Sequence, residues 1–258
     1  MNPPRIQLVS TDFDGTLYAD LDDPPVPEDL QALIAGLQQR GAKWVINTGR
    51  DRASLMQTLD RLQLAVQPDY LVLVEREIHE RRGGDYVGVE EWNRDCEAAH
   101  AGLFARLLPR LPRIIRGVKE RFEVMVFEDD FSPFCLVAQS PEEAAGASQY
   151  LEEVCAGIPG LTQVRNHTSV RLAHADYNKG TALSELARRV GITADRVFAA
   201  GDHYNDLPML SSRHARFLAS PANGIPEVHE LVRRQGGYVS PLGEGRGVAD
   251  SLRYFLGE

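Results

Sequence analysis

Short runs dominated by apolar residues alternate along much of the chain with longer stretches whose apolar positions recur every three or four residues. Runs at 5–11, 43–47, 70–74 and 197–200 are too short for helices and lack the strict alternation of a half-exposed strand. They therefore predict parallel strands buried on both faces. Between them, Leu30, Leu33, Ile34 and Leu37 follow Pro27 at helical spacing and stop at Gly41. A second helix is predicted from about 51 to 64. A third carries Leu183, Leu186, Ala187 and Val190 on one face and ends at Gly191. Segments around Ile78 and Val87 flank Gly83-Gly84-Asp85, a hairpin signal. Beyond the strand at 197–200 come a strand near Phe217, a loop at Pro221-Ala222-Asn223, a helix at 226–234, a strand at Tyr238 and a last helix from Gly247. Strands alternating with helices make this an α/β chain.

The pattern changes from 90 to 172. There it predicts a helix at 91–108, strands at 121–127 and 134–139, a helix at 141–156, and strands at 161–166 and 169–172. That αββαββ order forms one antiparallel sheet with helices on a single face, an α+β domain inserted into the parallel one. The expected division is 1–89 and 173–258 for the core, with 90–172 as the insertion.

Composition narrows the function classes. The chain has 258 residues, 43% hydrophobic and 25% charged, as in ordinary globular proteins. A net charge of −9 argues against nonspecific binding to nucleic acid or anionic membranes, yet leaves room for a small anionic substrate at a locally positive site. Cys96, Cys135 and Cys155 show no metal-ligand spacing, and their odd number suggests no disulfide framework; the expectation is a reducing cytoplasm. Met1-Asn-Pro-Pro-Arg5 contains no apolar run, and no apolar run elsewhere approaches membrane-spanning length.

Chemistry clusters where the apolar runs end. The first run stops at Asp12-Phe13-Asp14-Gly15-Thr16-Leu17. Ligands in open α/β sheets sit beyond the carboxyl ends of the strands, and strand alternation lets Asp12 and Asp14 face one crevice while Phe13 turns to the core. Two carboxylates this close repel unless a cation or a shared proton relieves them, and magnesium suits. An Asx-turn or helix cap is the plain alternative. A calcium loop needs glycine at its sixth position, where this chain has Leu17. The second run ends in Thr48-Gly49-Arg50 ahead of a helix, so Thr48 either caps that helix or, with Gly49, binds an anion at its positive end. Lys179 opens the third helix, where a cation opposes the dipole unless an anion shares the site. The strand at 197–200 runs into Gly201-Asp202-His203-Tyr204-Asn205-Asp206, followed by Leu207-Pro208-Met209-Leu210, which fits a further helix.

Asp12-Phe13-Asp14-Gly15-Thr16-Leu17, Thr48-Gly49-Arg50, Lys179-Gly180-Thr181-Ala182-Leu183 and Gly201-Asp202-x-x-Asn205-Asp206, in that order, resemble the four signatures of the haloacid dehalogenase superfamily, in its Cof-type or sucrose-phosphatase-like branch. The resemblance implies a Rossmann-like parallel core with an inserted α+β cap. It also implies a phosphatase acting on a small phosphorylated metabolite, a sugar phosphate or related compound, through an aspartyl phosphate. In that pattern Asp12 is the nucleophile and Asp14 the general acid and base. Mg2+ is held by the Asp12 carboxylate, the Asp14 carbonyl and Asp202, with Asn205 and Asp206 completing or orienting the set. Thr48, Gly49, Lys179 and Asn205 contact the phosphoryl group, Arg50 supports them, and the cap closes as a lid that selects the leaving group. One departure stands out: relatives carry Asn-Gly-Ala after the third strand, where this chain has Glu75-Arg76-Glu77.

A phosphomutase using the same two aspartates remains an alternative, as does a phosphoacceptor signalling module, although the latter needs neither Asp14 nor an inserted domain. His203 has no second histidine or cysteine at transition-metal spacing and reads as a local contact. His174 either sits at the surface or faces the cleft, and Arg121 and Arg171, on strands of the insertion, are candidates for substrate contact. Monomer and weak dimer both stay open.

Overall fold

The computed structural model describes residues 5–258, so of the N-terminal Met1-Asn-Pro-Pro-Arg5 stretch only Arg5 falls within it. The chain divides into two compact units, one reaching Glu90 and resuming at Asn178–Glu258, the other Glu91–Tyr177.

The first unit contains β1 (Leu8–Thr11), α1 (Glu28–Gln39), β2 (Lys43–Asn47), α2 (Arg52–Leu62), β3 (Tyr70–Leu73), β4 (Glu77–Arg82) and β5 (Asp85–Gly88). Helix α3 (Glu90–Leu107) begins at the junction. The second unit continues with α4 (Leu111–Lys119), β6 (Val124–Asp129), β7 (Ser132–Ala138), α5 (Pro141–Cys155), β8 (Leu161–Asn166) and β9 (Ser169–His174). The chain then returns through α6 (Lys179–Arg189), β10 (Val197–Ala200), β11 (Phe217–Ser220), α7 (Pro226–Arg234), β12 (Tyr238–Val239) and α8 (Glu244–Leu256).

The first unit is built on an eight-stranded sheet in the order β12-β11-β10-β1-β2-β3-β4-β5, parallel from β12 to β3. Strands β4 and β5 are the antiparallel hairpin that the glycine pair announced, with Gly83 and Gly84 both at positive φ, as a tight two-residue turn requires. The chain winds outward from β1 through β2 and β3 in one direction, and from β10 through β11 and β12 in the other. The topological switch therefore falls between β1 and β10, the place where sheets of this kind bind ligands beyond the strand ends. The central strands are apolar because both their faces are covered: Val9, Trp44, Ile46, Phe198 and Ala200 belong to one buried cluster with Leu30, Ile34 and Leu252 from flanking helices, and Leu8, Val45, Val197 and Ala199, which alternate with them, are buried too. Each such side chain contributes roughly 1.5–3 kcal/mol.

The second unit is a four-stranded antiparallel sheet, β6-β7-β9-β8, with its own apolar cluster around Phe134, Leu136, Leu103 and Leu151. It contains one helix more than the pattern predicted. Helix α4 occupies the interval before the first expected strand, which accordingly starts at Val124 rather than residue 121. The signal was present: Pro112 suits a first turn, and Leu111, Ile114 and Val118 recur on one face, all buried. Strand β9 reaches His174, and the unit runs on to Tyr177. Arg121 therefore lies off the strands, donating to the Gly117 carbonyl at 2.9 Å and stacking on Tyr150. Arg171 pairs with Asp129 at 4.0 Å. His174 is not at the surface, since its ring packs against those of His100 and Tyr177. Leu207-Pro208-Met209-Leu210 forms turns after a short 3₁₀ segment at Tyr204–Asp206 instead of a helix; Pro208 has no N–H to give one. Among the described residues the three cysteines are free, and no helix is long and apolar enough to cross a membrane.

Helix α4 gives a direct test of this packing. Ile114→Ala should destabilise the protein by about 2–5 kcal/mol, whereas Arg113→Ala, one residue away on the exposed face, should stay within about 0.5 kcal/mol. Denaturant midpoints measure both, and equal effects would mean that α4 is not docked through that face.

Candidate active site

Four segments converge at the switch point. The end of β1 supplies Asp12, the end of β2 supplies Asn47 and Thr48, the loop after β10 supplies Asp202 to Asp206, and the first residue of α6 is Lys179. Lys179 is fully buried, and its Nζ donates to Asp12 Oδ1 at 2.5 Å and to Asp206 Oδ1 at 2.6 Å. The helix start is held in place. Asn178 caps it, accepting from the Gly180 and Thr181 amides, and Asn47 Nδ2 donates to the Lys179 carbonyl at 3.0 Å. Gly180 is required here, because a Cβ would lie 2.4 Å from the Pro208 carbonyl oxygen.

Asp206 holds the acidic loop. While Oδ1 takes the Lys179 bond, Oδ2 accepts from the backbone N–H groups of Asp202 and His203 at 2.9 and 3.0 Å. It thus orients Asp202 through the backbone. Asp202 in turn accepts from Thr16 Oγ1 at 2.6 Å and faces Gly15, whose φ of 75° and missing Cβ both matter: a Cβ would stand 2.7 Å from Asp202 Oδ2. Carboxylate oxygens of Asp12, Asp202 and Asp206 lie within 4.8 Å of one another.

Asp14 is placed differently from Asp12. It lies at the rim with a side chain 45% exposed, held by a two-pronged bond from Arg50 at 2.7 and 2.5 Å. The guanidinium also donates to Thr58 at 2.7 Å and lies over Phe13 and Tyr18, which stack on one another. Phe13 points into the core as expected. Arg50 is therefore turned to Asp14 in this state.

Thr48 does not cap α2. That role belongs to Asp51, which accepts from the Ser54 amide, while Thr48 Oγ1 accepts from the Arg50 amide at 3.1 Å. The Thr48-Gly49-Arg50 loop is fastened to the turn after β3 by Glu75 N–H to the Thr48 carbonyl and Val74 N–H to the Arg50 carbonyl. In that turn Glu75 is buried, and its Oε1 accepts from Asn205 Nδ2 at 3.1 Å. Asn205 Oδ1, at the other end of the same amide, is buried without a hydrogen-bond partner. Sequence reasoning missed Glu75 and Thr16 as members of the site. For Thr16 the signal was its place in the first motif; for Glu75 it was only the departure from Asn-Gly-Ala.

Acid outnumbers base in this pocket, with four carboxylates (Asp12, Asp202, Asp206, Glu75) around one ammonium. Burial, reinforced by Asp206, raises Asp12 well above the usual carboxylate range despite the pull of Lys179. Burial and Asp206 likewise push Asp202 up to about 7, against Thr16 and Lys179. For Lys179 burial opposes the charge, but Asp12, Asp206 and Glu75 outweigh it and hold its pKa above the ordinary 10.5. These residues suit a hard divalent cation: closely spaced carboxylates that resist ionising together, and an unpartnered amide oxygen.

Residues 124–239 match the family described as haloacid dehalogenase-like hydrolase. A phosphoglycolate phosphatase of Methanothermobacter thermautotrophicus is 35% identical over 89 residues, 34% of this chain and 38% of that protein. The 5-amino-6-(5-phospho-D-ribitylamino)uracil phosphatase of Bacillus subtilis is 21% identical over 261 residues, covering 97% of this chain and 96% of its own. Among solved structures, the sucrose-phosphatase of Synechocystis in complex with sucrose and phosphate superposes with a TM-score of 0.71 at 18% identity, over 98% of each chain, and shows the same fold.

The excess of acid predicts how stability depends on pH without divalent cations. Asp202 binds its proton up to about pH 7 when folded but only to about 4 when unfolded, so over that window the native state holds more protons. Stability should therefore fall as pH rises from 5.5 to 8 in chelator, by on the order of 2 kcal/mol, or roughly 5 °C in melting midpoint. Asp202→Asn should flatten the slope. A midpoint that climbs over the same range would contradict the crowding of the acids.

Proposed function

We propose that the chain is a phosphatase of the haloacid dehalogenase-like hydrolases, whose family model it matches at 124–239, and that it hydrolyses a small phosphorylated metabolite by transient phosphorylation of Asp12. The observation that carries this reading is the buried ammonium of Lys179 bonded at once to Asp12 and Asp206, which fixes one carboxylate at the mouth of a crevice otherwise built for anions and a cation.

Phosphoryl transfer asks mainly for alignment and for neutralisation of negative charge. Lys179 orients Asp12 so that its second oxygen can attack phosphorus, and the aspartyl phosphate so formed splits one displacement into two easier ones. Thr48, the Gly49 amide, Lys179 and Asn205 take up phosphoryl oxygens. Asp14 gives a proton to the leaving oxygen and later removes one from the hydrolytic water. Arg50 holds Asp14, so the arriving phosphoryl anion competes for that guanidinium and frees the carboxylate, which takes a proton from solvent before it serves as the acid. Asp12, Asp202 and the Asp14 carbonyl would hold Mg2+, with Asp206 and Asn205 orienting or completing the set. Bound there, the ion supplies positive charge against the phosphoryl group. None of these residues lies between Glu91 and Tyr177, and choice of leaving group is the role we assign to that unit. Sugar phosphates, glycolate-type phosphates and similar small esters are the substrate class.

Hydrolysis of an aryl phosphate should require Mg2+, disappear in chelator, and fall by at least about 10³-fold in Asp12→Asn, since an amide nitrogen is no nucleophile. Asp14→Asn should still accept the phosphoryl group from an ester with a good leaving group but release it slowly. Mass spectrometry of the quenched protein should then find phosphate on the peptide containing Asp12. Retention of more than a few per cent of activity in Asp12→Asn, or phosphate on another residue, would overturn the assignment.

A further inference from the structure

Glu75 stands in a turn whose backbone is unfavourable. Val74 at φ 43° and Glu75 at φ 68° are consecutive left-handed residues, a conformation that suits asparagine and glycine and penalises a β-branched valine most. The left-handed pair falls at 74–75, so Glu75 occupies a position that glycine would fill without strain. The turn is not loose, because its amides donate to the Thr48 and Arg50 carbonyls and the Arg76 N–H donates to the Leu73 carbonyl. The strain therefore buttresses a particular side-chain direction.

That direction is into the site. The Glu75 side chain is buried, Oε1 accepts from Asn205 Nδ2 at 3.1 Å, and it lies over Gly49 so closely that a Cβ there would come within 3.0 Å of the same oxygen. Its charge is also among those that keep Lys179 protonated. Gly49, Lys179 and Asn205 are three of the residues assigned above to the phosphoryl group. Gly49 and Asn205 meet an anion that the chain itself supplies, and Lys179 feels its charge.

We propose that Glu75 is a specificity-determining residue that occupies the phosphoryl pocket with its own carboxylate, so that a substrate must displace it to bind. The proposal rests on the reading of Gly49, Lys179 and Asn205 as phosphoryl-binding residues. Carboxylate and phosphoryl oxygens are both anionic acceptors; they compete for the same N–H donors and ammonium, and they repel when crowded together. Displacement breaks no covalent bond and needs only rotation of the side chain on a fixed backbone. Inorganic phosphate has nothing but phosphoryl oxygens with which to drive that rotation. An ester whose leaving group makes contacts of its own has more, so the pocket admits the whole substrate and rejects its phosphate fragment. After hydrolysis, the same competition expels the product.

The test is the affinity of inorganic phosphate for the Mg2+-loaded protein, measured by calorimetry, beside the specificity constant for a small aryl phosphate. Glu75→Gly suits the φ at this position and empties the pocket; it should melt no lower than the parent and bind phosphate about tenfold or more tighter, with the specificity constant rising comparably. Glu75→Gln keeps the size but not the charge, and should tighten phosphate by about two- to fivefold. A cooperatively folded Glu75→Gly protein that binds phosphate no more tightly than the parent overturns the proposal, as does a Glu75→Gln protein that binds it more weakly. Hydrolysis dependent on Asp12 alongside an unchanged phosphate affinity would sink the role of Glu75 alone. Absence of hydrolysis in parent and variants would sink the phosphatase reading, and this inference with it.

Discussion

The structure depends on one buried ammonium. Taking a charged lysine wholly out of water costs several kcal/mol even after relaxation, and it is tolerated only where opposite charges are delivered with good geometry. Lys179 meets that condition through Asp12 and Asp206, which arrive from different strand ends. The lysine also sits at a helix N-terminus, where the dipole disfavours it by a few tenths of a kcal/mol, an amount that two charge-assisted bonds readily offset. Losing either acid would leave Lys179 with one direct carboxylate partner in place of two. The constraint thus pins three segments together, and the remaining contacts of the site are arranged around it: Asn47 on the lysine carbonyl, Asp206 on the Asp202 amide, Thr16 on the Asp202 carboxylate.

Much of this was legible because it follows from periodicity and from punctuation. Continuous apolar runs ending in acids mark parallel strands and their carboxyl ends, and those ends are where the sheet gathers its ligands. Helix stops at Gly41 and Gly191 and the Gly83-Gly84 hairpin were readable for the same reason: each has a positive φ that glycine alone adopts freely. Helix α4 could have been found from Leu111, Ile114 and Val118, with Pro112 opening it. The expected helix after Asp206 failed because Pro208 and the side-chain bonds of Asp206 hold turns there.

What sequence could not supply was direction. Asp12 and Asp14 were expected to face the same crevice; the structure buries one against Lys179 and leaves the other at the rim with Arg50. For Thr48 the sequence left helix cap and anion contact both open, and Asp51 takes the cap. Glu75 was visible only as an unfamiliar residue, since its approach to Gly49 and Asn205 depends on a left-handed backbone that neither valine nor glutamate announces. Side-chain partners across loops are set by backbone angles that residue type constrains weakly, and functional sites are where such angles depart most from local preference.

The interrupted first unit has a consequence for how the protein is made. Residues Glu91–Tyr177 are contiguous and hold their own apolar cluster, so they can become compact as soon as they leave the ribosome. The larger sheet cannot. Its central strand β1 is among the earliest segments synthesised, yet one of its edges waits for β10, and Asp12 waits for Lys179. At about 5–20 residues per second, that edge stays unpaired for on the order of ten seconds or more. An open, apolar central strand is an invitation to other nascent chains. The inserted unit therefore matures first, while the older half of the larger sheet stays exposed to chaperones, and the site is assembled only near the end of translation.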